Sequence, residues 1–180
     1  MVTGGASFIG SHLVGALVAW GARVRVADNL SSGKLENIEG HVEKGRIEFI
    51  HGDLLDPEFT RRTVKEMQVV FHLAADHGGR GYIDRRQAEC ATNLILDGLV
   101  FRSCCQAGVE KVVFASSGCV YPNFQQMNPS EEIYLTEDMV KPPYDADNMY
   151  GWAKLMGELT LKAYCEQYGM KSASCRYFTV

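Results

Sequence analysis

Apolar and polar positions along the chain follow two different periods. "RVRVAD" (23–28) and "RIEFIHGD" (46–53) alternate apolar with polar residues, as half-buried strands do. "VVFHLAA" (69–75) and "KVVFASS" (111–117) are apolar runs that end in small residues, the pattern of parallel strands covered on both faces. "KSASCRYF" (171–178) carries a weaker strand pattern. Between these runs the apolar positions take a helical spacing, at about 8–21, 57–66, 85–108 and 148–168. Strands alternating with helices predict an α/β fold, a doubly wound parallel sheet of Rossmann type with helices on both faces. A first strand should precede the helix at 8–21, yet only Met1, Val2 and Thr3 are available for it. With an end at Val180 just after a strand, residues 1–180 are expected to be one domain cut from a longer chain, its first strand shortened. The stretch 121–147 holds four of the five prolines and reads as one long loop.

Composition narrows the function classes. Lys and Arg number 18 against 22 Asp and Glu, a net charge of −4 that offers no basic footprint for nucleic acid or an anionic membrane. No apolar run approaches the roughly 20 residues of a membrane span. Met1 leads directly into a glycine-rich turn, so no signal peptide is expected. The six cysteines (Cys90, Cys104, Cys105, Cys119, Cys165 and Cys175) form no C-x-x-C pair and mostly lie in apolar runs, and no metal site is read from them. They read as reduced thiols in a cytoplasmic protein.

The first candidate chemistry is the turn "TGGASFIG" (3–10). Gly5-Ala6-Ser7-Phe8-Ile9-Gly10 fits G-x-G-x-x-G with serine in place of the second glycine. A helical pattern follows, so its first N–H groups could face a pyrophosphate. The next strand ends in Asp28, close to the roughly 20 residues at which an acid holds the adenosine ribose. A carboxylate there accepts from a 2′-hydroxyl and repels a 2′-phosphate, which favours NAD over NADP. An N-capped helix with a surface aspartate would give the same pattern. Ser7 puts a hydroxymethyl group where glycine lets the backbone approach phosphate. Its hydroxyl could donate to a phosphate oxygen, and a backbone at positive φ would cost about 1–2 kcal/mol.

The second candidate is "YGWAK" (150–154). Tyr150 and Lys154 stand one helical turn apart on one face. An ammonium near a phenol favours the phenolate, and a tyrosine titrating nearer neutrality serves as a general base on a sugar hydroxyl. The spacing equally suits a solvated helix face. "FASSGCVYP" (114–122) ends an apolar strand in a serine pair, where sites form in such sheets. There Ser117 could hydrogen-bond the reacting hydroxyl, or simply cap a turn.

Taken in order, Thr3–Gly10, "ADNLSSGK" (27–34), "GDLLD" (52–56), "HLAA" (72–75), "ASSGCVYP", "YGWAK" and "RYF" (176–178) resemble the extended short-chain dehydrogenase/reductase superfamily, in its nucleotide-sugar epimerase branch. The resemblance covers the whole chain. It implies NAD as cofactor, with Gly4, Gly5, Ser7, Phe8, Ile9 and Gly10 in the phosphate turn. Asp28, Asn29, Ser32 and Lys34 would surround the adenosine ribose, and Asp53 and Leu54 would flank the adenine. Leu73, Ala74 and Ala75 would line the cofactor, with Asn93 near the pyrophosphate and Tyr177 and Phe178 beside the nicotinamide. Ser117, Tyr150 and Lys154 would be the catalytic set. The chain departs from the pattern at Ser7, and the C-terminal region in which this superfamily binds the nucleotide-sugar is expected to be missing.

Two details are similar to the GDP-mannose 3,5-epimerases within that branch: the glycines of "AADHGGRGYI" (74–83) and Cys119, two residues beyond Ser117. The resemblance implies that Gly78, Gly79, Gly81 and Ser117 border the sugar. It also implies that Cys119 exchanges protons beside a transient 4-keto group. Thiols suit that task because their pKa moves readily; a buried filler is the alternative. In 4-epimerases threonine is commoner at this position, and the 4,6-dehydratases carry an Asp-Glu pair that Gly118-Cys119 does not match. A UDP-glucose 4-epimerase-like enzyme, a non-catalytic dinucleotide sensor and an inactive cofactor-binding half remain as other readings. The patterns at 85–108 and 148–168 are apolar on more than one side and predict a homodimer through these helices, as in related enzymes.

Overall fold

The computed structural model describes residues 1–128, 130 and 132–178. Its centre is a six-stranded parallel sheet of β1 (Val2–Thr3), β2 (Val24–Asp28), β3 (Ile47–His51), β4 (Val69–His72), β5 (Lys111–Ser117) and β6 (Lys171–Tyr177). The strands lie in the order β3-β2-β1-β4-β5-β6. The winding reverses between β1 and β4, which opens a crevice at their carboxyl ends. The doubly wound architecture expected from the alternating pattern is present.

The helices are α1 (Phe8–Ala19), α2 (Glu39–Val42), α3 (Pro57–Thr63), α4 (Arg80–Arg85), α5 (Gln87–Ala91), α6 (Asn93–Gln106) and α7 (Asn148–Tyr168). On one face of the sheet Val14 of α1 and Ile38 pack against Val2, Val24, Val26 and Ile47. On the other face Phe59 of α3, Val100 and Phe101 of α6 and Leu161 of α7 pack against Val70, Val112 and Phe114. A smaller cluster of Val120, Tyr121, Ala146 and Leu155 seats the 121–147 segment on α7. Among the described residues no helix is long and apolar enough to cross a membrane.

The single helix expected over 85–108 is instead broken into α5 and α6, with α4 ending at its start. Arg86 leaves the helical region (φ −117°, ψ 51°) between α4 and α5. Asn93, at the first turn of α6, turns its side chain away from the helix. Its Oδ1 accepts from the Asp76 N–H at 2.7 Å and its Nδ2 donates to the Asp76 carbonyl at 2.8 Å. Apolar spacing does not register such a bond, because it acts on backbone 17 residues earlier in the chain. The short α2 and the 3-10 turns at 35–37, 118–120, 123–125 and 137–139 are likewise too brief to show a period.

β1 is two residues long yet central. Val2 pairs with Val26 and Phe71, and Thr3 with Ala27 and His72. The ladder continues through the Thr3 side chain: the Leu73 and Ala74 N–H groups each donate to Thr3 Oγ1 at 3.1 Å. Thr3→Val keeps the shape and removes this acceptor. It is expected to cost about 1–3 kcal/mol, because the Ala74 N–H and His72 Nδ1 lose their partner, while the Leu73 N–H keeps a 3.3 Å bond to the Thr3 carbonyl. Thr3→Ser, which keeps the hydroxyl, should lose less; urea denaturation of the three proteins measures both.

Candidate functional site

The crevice holds a cavity of about 420 Å³. Ten residues singled out in the sequence line it: Gly4, Ser7, Asp28, Asn29, Ser32, Asp53, Leu54, Leu73, Ala74 and Ala75. Each comes from the end of β1, β2, β3 or β4 or the turn after it, so the parallel sheet gathers them along its carboxyl edge. Ser31, Asp76, His77, Tyr82, Thr92 and Leu96 help complete the wall and were not singled out. Gly5, Phe8, Ile9, Gly10 and Lys34 do not line it. Gly5 and Gly10 are buried in the turn, Phe8 and Ile9 are exposed at the start of α1, and Lys34 is exposed after β2.

The turn itself is shaped by close approach. Gly4 has φ +66°, and a Cβ there would come within 2.9 Å of the Ala74 nitrogen. A Cβ on Gly10 would strike the Gly4 carbonyl and lie 2.7 Å from Gly5 Cα. Ser7 is unstrained, in extended backbone with φ −80° and ψ 175°, so the positive φ falls on Gly4 and no backbone cost attaches to the serine. Its hydroxyl donates to the Gly4 carbonyl at 2.6 Å and makes no cap bond to α1. The first N–H groups of α1 therefore keep their donors and the positive end of the helix dipole for an anion.

Asp28 is buried and tied into the same turn. Its Oδ2 accepts from the Ala6 N–H at 2.9 Å and its Oδ1 from the Leu30 N–H at 2.8 Å. A carboxylate has about four acceptor sites, so lone pairs remain for sugar hydroxyls on the cavity side. A glycine cradle, an uncapped helix start and a fixed acid at the cavity wall fit a dinucleotide.

Ser117, Cys119, Tyr150 and Lys154 form a second group at the carboxyl end of β5. The Cys119 N–H donates to Ser117 Oγ at 3.2 Å, and the Asp147 N–H donates to the Cys119 carbonyl at 2.9 Å, which docks the start of α7 on this turn. Gly151 makes the docking possible, since a Cβ there would strike that carbonyl. Lys154 is fully buried, its Nζ 4.7 Å from the Phe114 ring centroid and 5.8 Å from that of Tyr150. Phe178 closes the group: its ring would meet a Cβ on Gly118 at 2.8 Å and stacks on Tyr121 at 5.8 Å. Tyr177, on the adjoining strand position, is exposed. Gly78, Gly79 and Gly81 stand apart, in the segment from β4 into α4. That segment meets α7 through the Arg80–Asp147 ion pair and a 2.9 Å bond from Asn148 Nδ2 to Asp84.

Burial pushes the Tyr150 phenol up to about 12, helped by negative charge on Cys119, Asp97 and Cys90, while a bond with Ser117 pulls it back. The lowering of the phenol expected from Lys154 is not found: the one group that pulls it down is Ser117, and burial holds it protonated. Burial also lowers the pKa of Lys154, and Asp97 opposes that fall.

The whole chain, residues 1–180, matches the NAD dependent epimerase/dehydratase family. The chain belongs to this family. A UDP-glucose 4-epimerase of Mycolicibacterium smegmatis is 32% identical over 171 residues, covering 94% of this chain and 52% of that protein. GDP-mannose 3,5-epimerase 1 of Oryza sativa subsp. indica is 27% identical over 181 residues, 99% of this chain and 46% of that protein. The crystal structure of Thermus thermophilus UDP-glucose 4-epimerase in complex with NAD superposes with a TM-score of 0.82 at 36% identity, covering 98% of this chain and 53% of that one. The chain thus spans about half the length of these epimerases.

In this epimerase/dehydratase chain one buried element went unread in the sequence. His72 Nε2 lies 3.0 Å from Asp97 Oδ1, and His72 Nδ1 lies 2.8 Å from Thr3 Oγ1. A carboxylate only accepts, so Nε2 carries the proton. Nδ1 then accepts from the Thr3 hydroxyl, whose lone pairs take the Leu73 and Ala74 N–H groups. The signal was one acid in the apolar run "NLILDGLVF" (93–101), a residue type seldom buried without a partner.

The raised phenol gives a pH prediction. Folded Tyr150 titrates near 12 and an unfolded tyrosine near 10, so above pH 10 the unfolded chain sheds this proton first and stability falls as pH rises. Between pH 9 and pH 11 the wild type should lose about 1 kcal/mol relative to Tyr150→Phe, as read by guanidinium denaturation of both.

Proposed function

We propose that the chain is the dinucleotide-binding part of a nucleotide-sugar epimerase that works through transient oxidation at sugar C4. The observation that carries this reading is the meeting of Ser117, Cys119, Tyr150 and Lys154 at the end of β5, on the sheet edge that also bears the cavity. NAD, when bound, supplies a hydride acceptor that gives the hydride back, so no net oxidation results. The turn Gly4–Gly10 and the N–H groups of Phe8, Ile9 and Gly10 hold the pyrophosphate. Asp28 accepts from the adenosine ribose, with Asn29, Ser32 and Lys34 around it. Asp53 and Leu54 border the adenine, and Leu73, Ala74 and Ala75 form the wall. Asn93 sets that wall by fixing Asp76, and Tyr177 and Phe178 lie on the nicotinamide side.

Tyr150 moves the proton of the sugar 4-hydroxyl. It takes the proton as the 4-ketone forms and returns it as the alcohol is restored. Ser117 holds the same oxygen, and the Lys154 charge eases the first step against the burial that disfavours a phenolate. The ketone acidifies the hydrogens at C3 and C5. Cys119, half-buried beside Tyr150 rather than packed in the core, is placed to exchange one of them, with Gly78, Gly79 and Gly81 leaving room for the sugar. This is the chemistry of a GDP-mannose 3,5-epimerase. A second reading, 4-epimerisation, is favoured by the higher identity to UDP-glucose 4-epimerases, 32% and 36% against 27%. In that reaction the hydride returns to the other face of the sugar and no carbon-bound proton exchanges.

Turnover of GDP-mannose and of UDP-glucose by the full-length protein in D₂O, followed by NMR, separates the two. The 3,5 reading expects deuterium at C3 or C5 of the GDP-sugar and its loss in Cys119→Ser. Deuterium-free epimerised product, unchanged by Cys119→Ser, assigns 4-epimerisation and makes the cysteine a packing residue. No turnover of either sugar overturns both substrate assignments.

We further propose that the protein is a homodimer through α6 and α7. Leu94, Ile95, Trp152 and Met156 are exposed on these helices, and a second copy would cover them. Sedimentation at micromolar concentration should find a dimer; a monomer counts against it.

A further inference from the structure

Asp97 is 2% exposed, and its Oδ2 has no hydrogen-bond partner among the described residues. Oδ1 is engaged by His72. Oδ2 lies against α7, where a Cβ built on Gly157 would sit 3.1 Å from it and 2.7 Å from the Phe114 ring. Lys154, three residues earlier on α7, is buried with its Nζ over the same Phe114 ring. A carboxylate oxygen left without a donor in such a place is costly unless a positive charge answers it.

We propose that Asp97 is the counter-charge of the Tyr150–Lys154 pair: with Oδ1 held by His72, its free Oδ2 faces α7 and, through space, keeps the Lys154 ammonium charged beside Tyr150. The proposal deepens the epimerase reading and rests on it for the roles of Tyr150 and Lys154. His72 and Thr3 extend the same chain of bonds to the start of the phosphate turn, so the dinucleotide end and the proton-transfer end share one buried polar network. The titratable groups facing the pair are few. They are Asp97 on α6, His72 behind it on β4, Cys119 after β5 and Cys90 on α5. Asp97 acts on both members of the pair, supporting the charge on Lys154 and opposing a phenolate at Tyr150.

The test uses the full-length protein labelled with ¹³C at lysine Cε, with the Lys154 signal assigned by its loss in Lys154→Met. No dinucleotide or sugar is added, so failure of this proposal is distinct from failure of the functional reading, which would show as absent NAD binding or turnover. Lys154 of the wild type is expected to be charged at pH 7. In Asp97→Asn, which keeps an acceptor for His72 and removes the charge, its midpoint should fall by about one pH unit or more, roughly tenfold in proton affinity. Asp97→Ser should shift it the same way if the asparagine variant folds poorly. An unmoved midpoint in either variant, or a neutral Lys154 at pH 7 in the wild type, overturns the proposal; a midpoint that falls supports it even if the protein proves inactive on every sugar tried.

Discussion

The fold turns on the bonds of one threonine hydroxyl. β1 is the centre of the sheet and has only Val2 and Thr3 to offer it. Backbone bonds lengthen the ladder by one residue at each end, from Met1 to Val69 and Phe71 and from Gly4 to Ala27. Thr3 extends it by a side chain: its hydroxyl takes the N–H groups of Leu73 and Ala74 just past the end of β4 and meets His72 across the strand pair. That bonding brings Ala74 close enough to Gly4 that no side chain fits there. The glycine is thus dictated by the strand neighbour, and the turn's position by the threonine. Leu73, Ala74 and Ala75 then become a wall of the same cavity that the turn opens.

Much of this was legible because parallel sheets write themselves in a simple code. Apolar runs ending in small residues marked β4 and β5, and the strand ending in Asp28 placed its acid at the cavity. Helix existence was legible and helix continuity was not. The backbone leaves the helical region at Arg86, and Asn93 reaches back to bond Asp76, 17 residues earlier; neither feature disturbs the apolar spacing. Likewise Ser7 could be recognised as unusual, but its extended backbone and its bond to Gly4 depend on turn geometry that residue types leave open. Asp97 shows the deeper limit. An acid in an apolar helix is visible, yet that His72 answers it depends on how α6 packs on β4.

A second charged cluster holds the other end of the site. Arg176 of β6 donates through Nε and a terminal nitrogen to Glu158 of α7 at 3.0 and 2.8 Å, while Ser116 donates to the same carboxylate at 2.5 Å. Its remaining terminal nitrogen donates to the Glu137 carbonyl at 2.9 Å, and the guanidinium lies 5.2 Å from the Tyr121 ring centroid. The forked geometry suits a planar guanidinium and would be lost with lysine. Through it the long 121–147 segment is fastened at Tyr121 and Glu137 to the strand and helix that carry Ser117 and Tyr150. A loop of this length would otherwise bring its own entropy to the edge of the site.

The two clusters place opposite demands on α7. Glu158 and Arg176 are a closed pair, each with its charge met in a fork, and they anchor the helix without biasing any titration at the site. Asp97 is open, one oxygen bonded to an imidazole and the other facing the helix. Gly157 stands between these demands. Its missing side chain lets Phe114 and Asp97 approach α7, the helix that carries Lys154 and Tyr150. An alanine there would have to displace the ring or the carboxylate. A buried charge behind the pair acts at short range through a medium of low polarizability, where its effect is far larger than that of any surface group. Burial comes first in setting the protonation of Tyr150 and Lys154, and Asp97, from inside the sheet–helix interface, acts on both.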